Sequence, residues 1–345
     1  MTWEISDFRV RTTTPSQESD VLYANGRMQV AVCISIKAIN KDTGTRYKLS
    51  QAELDSSQLV DYYNSSKTLQ GDWSYSSQEN EFTHTLAVGM SVSDSAPKDT
   101  PTYGSFEEGP QEKCYWVSTT KADNKHIGAC ITQPDGTVIS TSDPDYKSQV
   151  TLTGKTPIYY TTDNTTQVSK ETDSGQYKAN LVRGSRSTPA DGHWKQYNYY
   201  VSTNVHQLLK ANIYGYDESG NTNPHHDSRM SHSFAYAPND NYLNLCFIWD
   251  YGPPSSTTAG LHYEGTTTVA GQNYKYKADA CANIGVNQQE RHLCLTHLRF
   301  NAGVNTWGDK WHVGCWFELY DIFGNTGTMS VKWDDKAIVF RDGKP

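Results

Sequence analysis

The sequence predicts an all-β fold: two sandwich-like domains of antiparallel strands with long polar loops. Three observations carry this. Hydrophobic residues make up only 36% of the 345 residues, while aromatic residues reach 12%, with 23 tyrosines. Any core must therefore draw on Tyr, Trp and β-branched side chains, which suit strands better than helices. The polar remainder is rich in Ser, Thr, Asn and Asp, the residues of turns and edges. Apolar residues recur mainly with period two, and helical periodicity is scarce.

One short helix is expected. Ser50 can N-cap a stretch that starts at Gln51, and Glu53 three residues on completes a capping box.

The clearest strand is Met28–Ala38, MQVAVCISIKA. Met28, Val30, Val32, Ile34, Ile36 and Ala38 share one face, and Gln29, Ala31, Cys33, Ser35 and Lys37 lie on the other, as in a half-buried antiparallel strand. Asn25-Gly26 before it suits a tight hairpin with positive φ, and Asn40–Thr45 turns after it. Three more units read strand, Asp- and Gly-containing turn, return. They are His126–Thr141 with its turn at Asp135-Gly136, Leu208–Asn221 with its turn from Asp217, and Val313–Val331 with its turn from Asp321. Val117-Ser118-Thr119 and Val201-Ser202-Thr203 each precede one of these units. A spacing this long suits duplicated sandwich modules, not the shorter repeats of a solenoid.

In general style these units resemble the immunoglobulin-like modules of bacterial proteins. The resemblance implies two immunoglobulin-like β-sandwich domains and, being one of fold alone, no function. A boundary just after the second unit gives an N-terminal domain 1–150 and a C-terminal domain 151–345. The segments 93–112, 141–145 and 251–259 read as linkers or long loops.

Tyr216–Thr222, YDESGNT, returns as Tyr320–Thr326, YDIFGNT. A calcium loop needs several oxygen ligands. The second copy carries Ile322 and Phe323 where the first has Glu218 and Ser219, and keeps only what a turn needs. Both are therefore expected to be hairpin tips.

Composition excludes several functions. The net charge is -8 and no window is strongly basic, which disfavours nucleic acid and anionic membrane surfaces. No Walker loop, GxGxxG or GxSxG pattern occurs, since Val88-Gly89-Met90-Ser91 is followed by Ser93 where Gly is required. No catalytic residue and no cofactor is assigned, and the chain is expected not to be an enzyme. His225, His226, Asp227 and His232 form the densest histidine cluster, but in a polar loop without a metal spacing. His292 and Cys294 share a strand face that His297 does not, so no metal is expected there either. The seven cysteines are odd in number and lack CxxC, which favours buried free thiols, with Cys281–Cys294 the one bridge considered. MTWEISDFRVRTTT has no apolar core, and no run of 18 apolar residues exists. The expected setting is thus the cytoplasm, or release by lysis or a dedicated secretion system.

Function is sought in aromatic loops. Trp307, Asp309, Trp311 and His312 crowd one glycine-containing loop, and Trp194 and Tyr197 form a second cluster. Rings that stack on sugars beside carboxylates that bind hydroxyls describe a lectin-like site. The leading expectation is non-enzymatic recognition of a glycan or a host-surface protein through these loops. One alternative is a toxin of the pore-forming, insecticidal type acting on a host membrane. The polar stretch Gln149–Val182 is its candidate hairpin, interrupted by Lys155, Pro157 and Asp163. A second is a self-assembling structural protein, a homo-oligomer built by strand addition at an unpaired Met28–Ala38 edge.

Overall fold

A computed structural model describes residues 2–86, 109–239, 242–301 and 307–345. The chain is all-β, with several antiparallel sheets. It forms two compact units: unit 1 is residues 1–158 with 323–325, and unit 2 is residues 159–322 with 326–345. Most of the candidate linker 93–112 and Val88–Ser91 lie outside the described residues.

Unit 1 begins with β1 (Trp3–Thr12), β2 (Ser19–Tyr23), β3 (Val30–Asn40) and β4 (Arg46–Tyr47). Helix α1 (Gln51–Asp55) follows, capped as its sequence demands: Ser50 Oγ accepts the Glu53 N–H and the Glu53 carboxylate accepts the Ser50 N–H. Then come β5 (Gln58–Asp61), β6 (Asn64–Thr68), β7 (Trp73–Ser76) and β8 (Gln111–Thr119). The last three are β9 (Asn124–Thr132), β10 (Val138–Ser140) and β11 (Val150–Lys155). One sheet has the order β1-β3-β8-β7 with β4 on β3, the other β2-β11-β9-β5-β6 with β10 on β9.

β3 departs from its expectation. It lies between β1 and β8, so it is no free edge for strand addition. It is also buried on both faces from Val30 to Ile34, because Ala31 and Cys33 on the second face are small enough to be covered. Asn25-Gly26 forms no hairpin into β3, since β2 pairs instead with β11, in parallel. Asn25 Oδ1 accepts the N–H groups of Arg27 and Met28, so the side chain builds an Asx-type turn. Cys33 and Cys114 stand opposite each other on β3 and β8, with Cα atoms 3.9 Å apart, and form a disulfide. This corrects the free-thiol expectation for both. Cys281 and Cys294 are free.

Unit 2 contains β12 (Thr165–Arg183), β13 (Arg186–Pro189), β14 (Gly192–Thr203), β15 (Leu208–Tyr214), β16 (Ser233–Pro238) and β17 (Tyr242–Ile248). It continues with β18 (Ser255–Val269), β19 (Gln272–Val286), β20 (Leu293–Asn301) and β21 (Trp311–His312). It ends with β22 (Cys315–Asp321), β23 (Thr326–Trp333) and β24 (Ile338–Asp342). The large sheet runs β18-β19-β12-β14-β20-β17-β16-β21 with β13 on β12, and a second sheet runs β15-β22-β23-β24. Gln149–Val182 is not a hairpin: β11 and β12 belong to different sheets, and the interruptions at Pro157 and Asp163 fall in the connection.

β20 shows how the layers form. Every residue from Leu293 to Leu298 is buried. Leu293 and Leu295 pack with Phe317, Leu319 and Met329 of the small sheet. Cys294, Leu298 and Phe300 join a second core with residues of β16, β17, β18 and β19. The large sheet thus curls, and its far strands meet across one core. Tyrosines line that core and find partners for their hydroxyls: Tyr177 Oη lies 3.1 Å from Tyr276 Oη and donates to the Asn301 carbonyl at 3.0 Å.

Of the repeated turns, YDIFGNT joins β22 to β23 as a hairpin. YDESGNT does not, because β15 pairs with β22 rather than returning. Asp217 instead organises a long loop. Its buried carboxylate accepts the N–H groups of Asn221, Thr222 and Asn223 and the Asn223 amide. Burial pushes that carboxyl up, and these hydrogen bonds outweigh burial and hold it below the usual range.

Candidate functional site

The aromatic residues chosen from sequence fall into two groups. Trp307 is 1% exposed and packs against Tyr177, Tyr263 and Tyr276, while Tyr236 donates to its backbone carbonyl. Trp194 is also in the core. Neither offers an open face to a ligand. Tyr197 is half-buried, with its ring 5.5 Å from that of His297 and Arg299 over it. Asp309 and His312 are exposed, and Trp311 is half-buried against the same core. The neighbouring Asn305 and Thr306 lie outside the described residues.

A different place in unit 2 brings chemistry together. The loop 215–232 between β15 and β16 carries a short 3-10 turn, Ser228–Met230, that packs beside β18. Met230 enters the core, and Asp227 caps the turn by accepting the Arg229 N–H. The Asp227 carboxylate also takes Arg229 Nε at 2.9 Å and the His262 backbone N–H of β18 at 2.9 Å. Burial raises this carboxyl, but Arg229 and the two backbone donors outweigh it and bring it down to about 2. Arg229 Nη1 then reaches Asp279 on β19 at 2.9 Å. The loop is thereby pinned to both strands of the β18–β19 pair.

Next to this clamp lies a cleft of about 300 Å³. Arg229, His232, Asp250 and Asn287 line it, with hydroxyls from Ser228, Ser231, Ser255, Thr257 and Thr258. The His232 ring is held between Tyr216 and Trp249, 5.2 and 5.5 Å away. Its backbone sits at φ 70°, a region costly for a non-glycine residue and common at functional sites.

Ser231, His232 and Asp250 are hydrogen-bonded in series. Ser231 Oγ is 3.0 Å from His232 Nδ1, and His232 Nε2 is 3.2 Å from Asp250 Oδ2. The series has the membership of a catalytic triad but not its proton path. Ser231 donates its one hydroxyl proton to the Glu218 carbonyl at 2.7 Å, so the hydroxyl serves His232 as an acceptor. A general base must take the nucleophile's proton, and here it is directed elsewhere. The trio braces the imidazole.

Asn287 is the buried amide of the cleft lining. It is 5% exposed, its Nδ2 donates to the Asp250 carbonyl at 2.9 Å, and its buried Oδ1 has no hydrogen-bond partner. An orphaned buried acceptor costs about 1–3 kcal/mol.

The histidine cluster is spread over separate duties. His225 packs between Tyr236 and Tyr263, and burial lowers its pKa. His226 Nδ1 meets the Asn221 carbonyl at 2.6 Å. Among the described residues, no three His, Cys, Asp or Glu side chains converge as metal ligands. A more open hollow of about 740 Å³ in unit 1 is lined in part by Lys113, Asp55 and Tyr115. Its Lys113 and Asp55 charges satisfy each other, since Lys113 bonds Asp55 at 2.7 Å and lies over the Tyr115 ring, and Glu112 pairs with Arg11.

The sequence held two local signs of the cleft: His232 in the histidine cluster, and Asp227-Ser228-Arg229, where an acid can cap a turn and pair with a base two residues on. Trp249-Asp250 and Asn287 carried no sign, because only the pairing of distant strands brings them to the loop. No protein-family model, no curated protein and no solved structure matches the chain.

Proposed function

We propose that the protein is a non-enzymatic recognition protein whose second unit binds a polyhydroxylic ligand of the glycan kind in the cleft beside His232. The gathering of donors and acceptors in one cleft, from Arg229, His232, Asp250, Asn287 and five hydroxyls, carries this reading. The surroundings suit the same ligand: Arg229 donates, Asp250 accepts, and the Ser and Thr hydroxyls do either. A volume near 300 Å³ is the low end for ligand sites and fits one or two sugar rings.

Glycan-array binding of the full chain tests the proposal. Asn287→Ala should weaken any hit at least tenfold with the fold intact by circular dichroism, and Thr257→Val should weaken it less. Binding lost in Trp311→Ala but kept in Asn287→Ala moves the site to the Trp311 loop. A blank array removes the glycan reading.

The finer description of both units as immunoglobulin-like sandwiches belongs with this proposal. It is supported by the two sheets of unit 1 and by the small sheet packed on the large one in unit 2. An experimental structure with either unit closed as a barrel would replace it. The Cys33–Cys114 disulfide supports a destination in an oxidising compartment, where such bonds persist.

A further inference from the structure

We propose that the outer face of the large sheet in unit 2, where β14, β20 and β17 run side by side, holds a second ligand site centred on Arg299, and that it takes the carboxylate of an acidic sugar. The proposal goes beyond the cleft reading and does not depend on it.

Register brings the groups together. β20 pairs with β14 on one side and with β17 on the other. Arg299 stands opposite Lys195 of β14 and Asn244 of β17. Two residues along the same face, Asn301 stands opposite His193 and Tyr242. Alternation sends Trp194, Leu298 and Phe300 into the core and leaves Lys195 and Arg299 on the other side. His193 and Asn301 are exposed, and Lys195, Tyr197, Tyr242 and Arg299 are half-buried.

Arg299 is fixed before a ligand arrives. Its guanidinium lies 4.7 Å from the centre of the Tyr242 ring and 5.6 Å from that of Tyr197. Its Nη2 donates to Tyr197 Oη at 3.3 Å. Aromatic faces hold a guanidinium without using up its fork of N–H donors. Among the described residues, no carboxylate pairs with Arg299.

The charges around it leave a positive excess. Lys195 and Arg299 are like charges directly opposite on neighbouring strands, an arrangement that destabilises a sheet. Glu171 offsets one of them: Lys195 Nζ reaches its two oxygens at 2.9 and 3.0 Å. That bond is the main reason its carboxyl lies below the usual range, and the charge of Arg299 is the last. His297, stacked on Tyr197, adds no charge, because burial and then Arg299 push its pKa down to about 3.

An anion completes this set, and the fork selects which. A carboxylate matches a guanidinium oxygen for N–H, in a bidentate pair. Paired strands lie about 5 Å apart, so a carboxylate on Arg299 is also within reach of Lys195. The exposed His193 and Asn301 offer hydrogen bonds to sugar hydroxyls beside it. Nucleic acid fits less well. The Tyr197 ring is occupied by His297 and Arg299, which leaves no platform for a base, and a net charge of -8 repels a long polyanion.

Calorimetric titration of the full chain with sialyllactose and with a glucuronate-capped disaccharide, each beside its methyl ester, tests this. Both acids should bind, and the esters, which keep the rings without the charge, should bind weaker by about tenfold or more. Arg299→Gln should weaken the acids by the same factor. Arg299→Lys keeps the charge without the fork and should not restore them. Glu171→Gln frees Lys195 and removes a competing acid, so it should tighten both acids, a gain that a misfolded variant does not give. Binding of neither acid, esters equal to acids, or a Glu171→Gln variant that binds no better overturns the proposal. So does loss in Asn287→Ala but not in Arg299→Gln, which places the acid in the cleft. Single-stranded RNA that binds through Arg299 more tightly than either acid overturns the sugar as its ligand.

Discussion

Asp227 and Arg229, two residues apart, grip each other through both carboxylate oxygens, with Asp227 only 12% exposed at its side chain. The same carboxylate holds the edge of β18 through the His262 N–H. Removing it leaves a partly buried guanidinium with Asp279 alone and frees a strand edge together. Asp227→Asn should cost unit 2 about 2–3 kcal/mol in urea unfolding, in the range for hydrogen bonds to charged groups. The pH dependence has a fixed sign. The folded carboxyl lies near 2, below its unfolded value of about 3.9. Its contribution is complete above about pH 4 and is lost as pH falls toward 2. The wild type should lose this part of its stability over that window, and Asp227→Asn should not.

Trp307 makes a test of core against ligand platform. It is ringed by three tyrosines, yet its buried Nε1–H has no hydrogen-bond partner. Trp307→Ala should cost about 3–5 kcal/mol, as large-to-small core changes do. Trp307→Phe loses some volume but also removes the orphaned donor, so it should cost under about 1.5 kcal/mol. Thermal denaturation of both variants checks this. A Trp307→Phe variant as damaged as Trp307→Ala would mean that the indole N–H has a partner.

What the sequence reveals here is local, and what it hides is pairing. β3, the α1 cap and the hairpin of β22 and β23 follow from period-two alternation, a capping box and an Asp-Gly-Asn turn within a few residues. YDESGNT has the same turn chemistry, yet β15 takes β22 as its partner and leaves that turn to order a loop. Trp307 reads as exposed beside Gly308 and Asp309, because the tyrosines that enclose it come from three other strands. The Cys33–Cys114 opposition depends on the register of β3 with β8 across 81 residues.

That disulfide gives a count to check. Of seven cysteines, Cys130, Cys246, Cys281, Cys294 and Cys315 are free. Thiol titration in guanidinium without reductant should find five groups, and seven after reduction. In the native state Cys246, Cys294 and Cys315 should stay silent, because all three are buried. Burial also raises their thiols, that of Cys294 to about 12, which leaves almost no thiolate to react. Loss of the bridge through Cys33→Ala with Cys114→Ala should cost about 2–4 kcal/mol. Seven thiols before reduction would remove the bridge, and with it the argument for an oxidising destination.

Asp20 is a carboxylate placed against its own interest. It lies on β2 in a parallel pairing of unit 1, opposite Leu152 of β11. Burial raises its carboxyl to about 6, and the Val21 N–H only partly offsets this. The sign is the reverse of that for Asp227. A folded value above the unfolded one gives stability that is full below about pH 4 and fades as pH rises through about 6. Unit 1 should therefore be more stable near pH 5 than near pH 8. Asp20→Asn keeps the shape and an acceptor without the charge, so it should stabilise unit 1 at neutral pH by about 1 kcal/mol and flatten that slope. Paired urea melts at the two pH values measure both effects. A variant less stable than wild type at pH 8 would show that the charge at position 20 is satisfied.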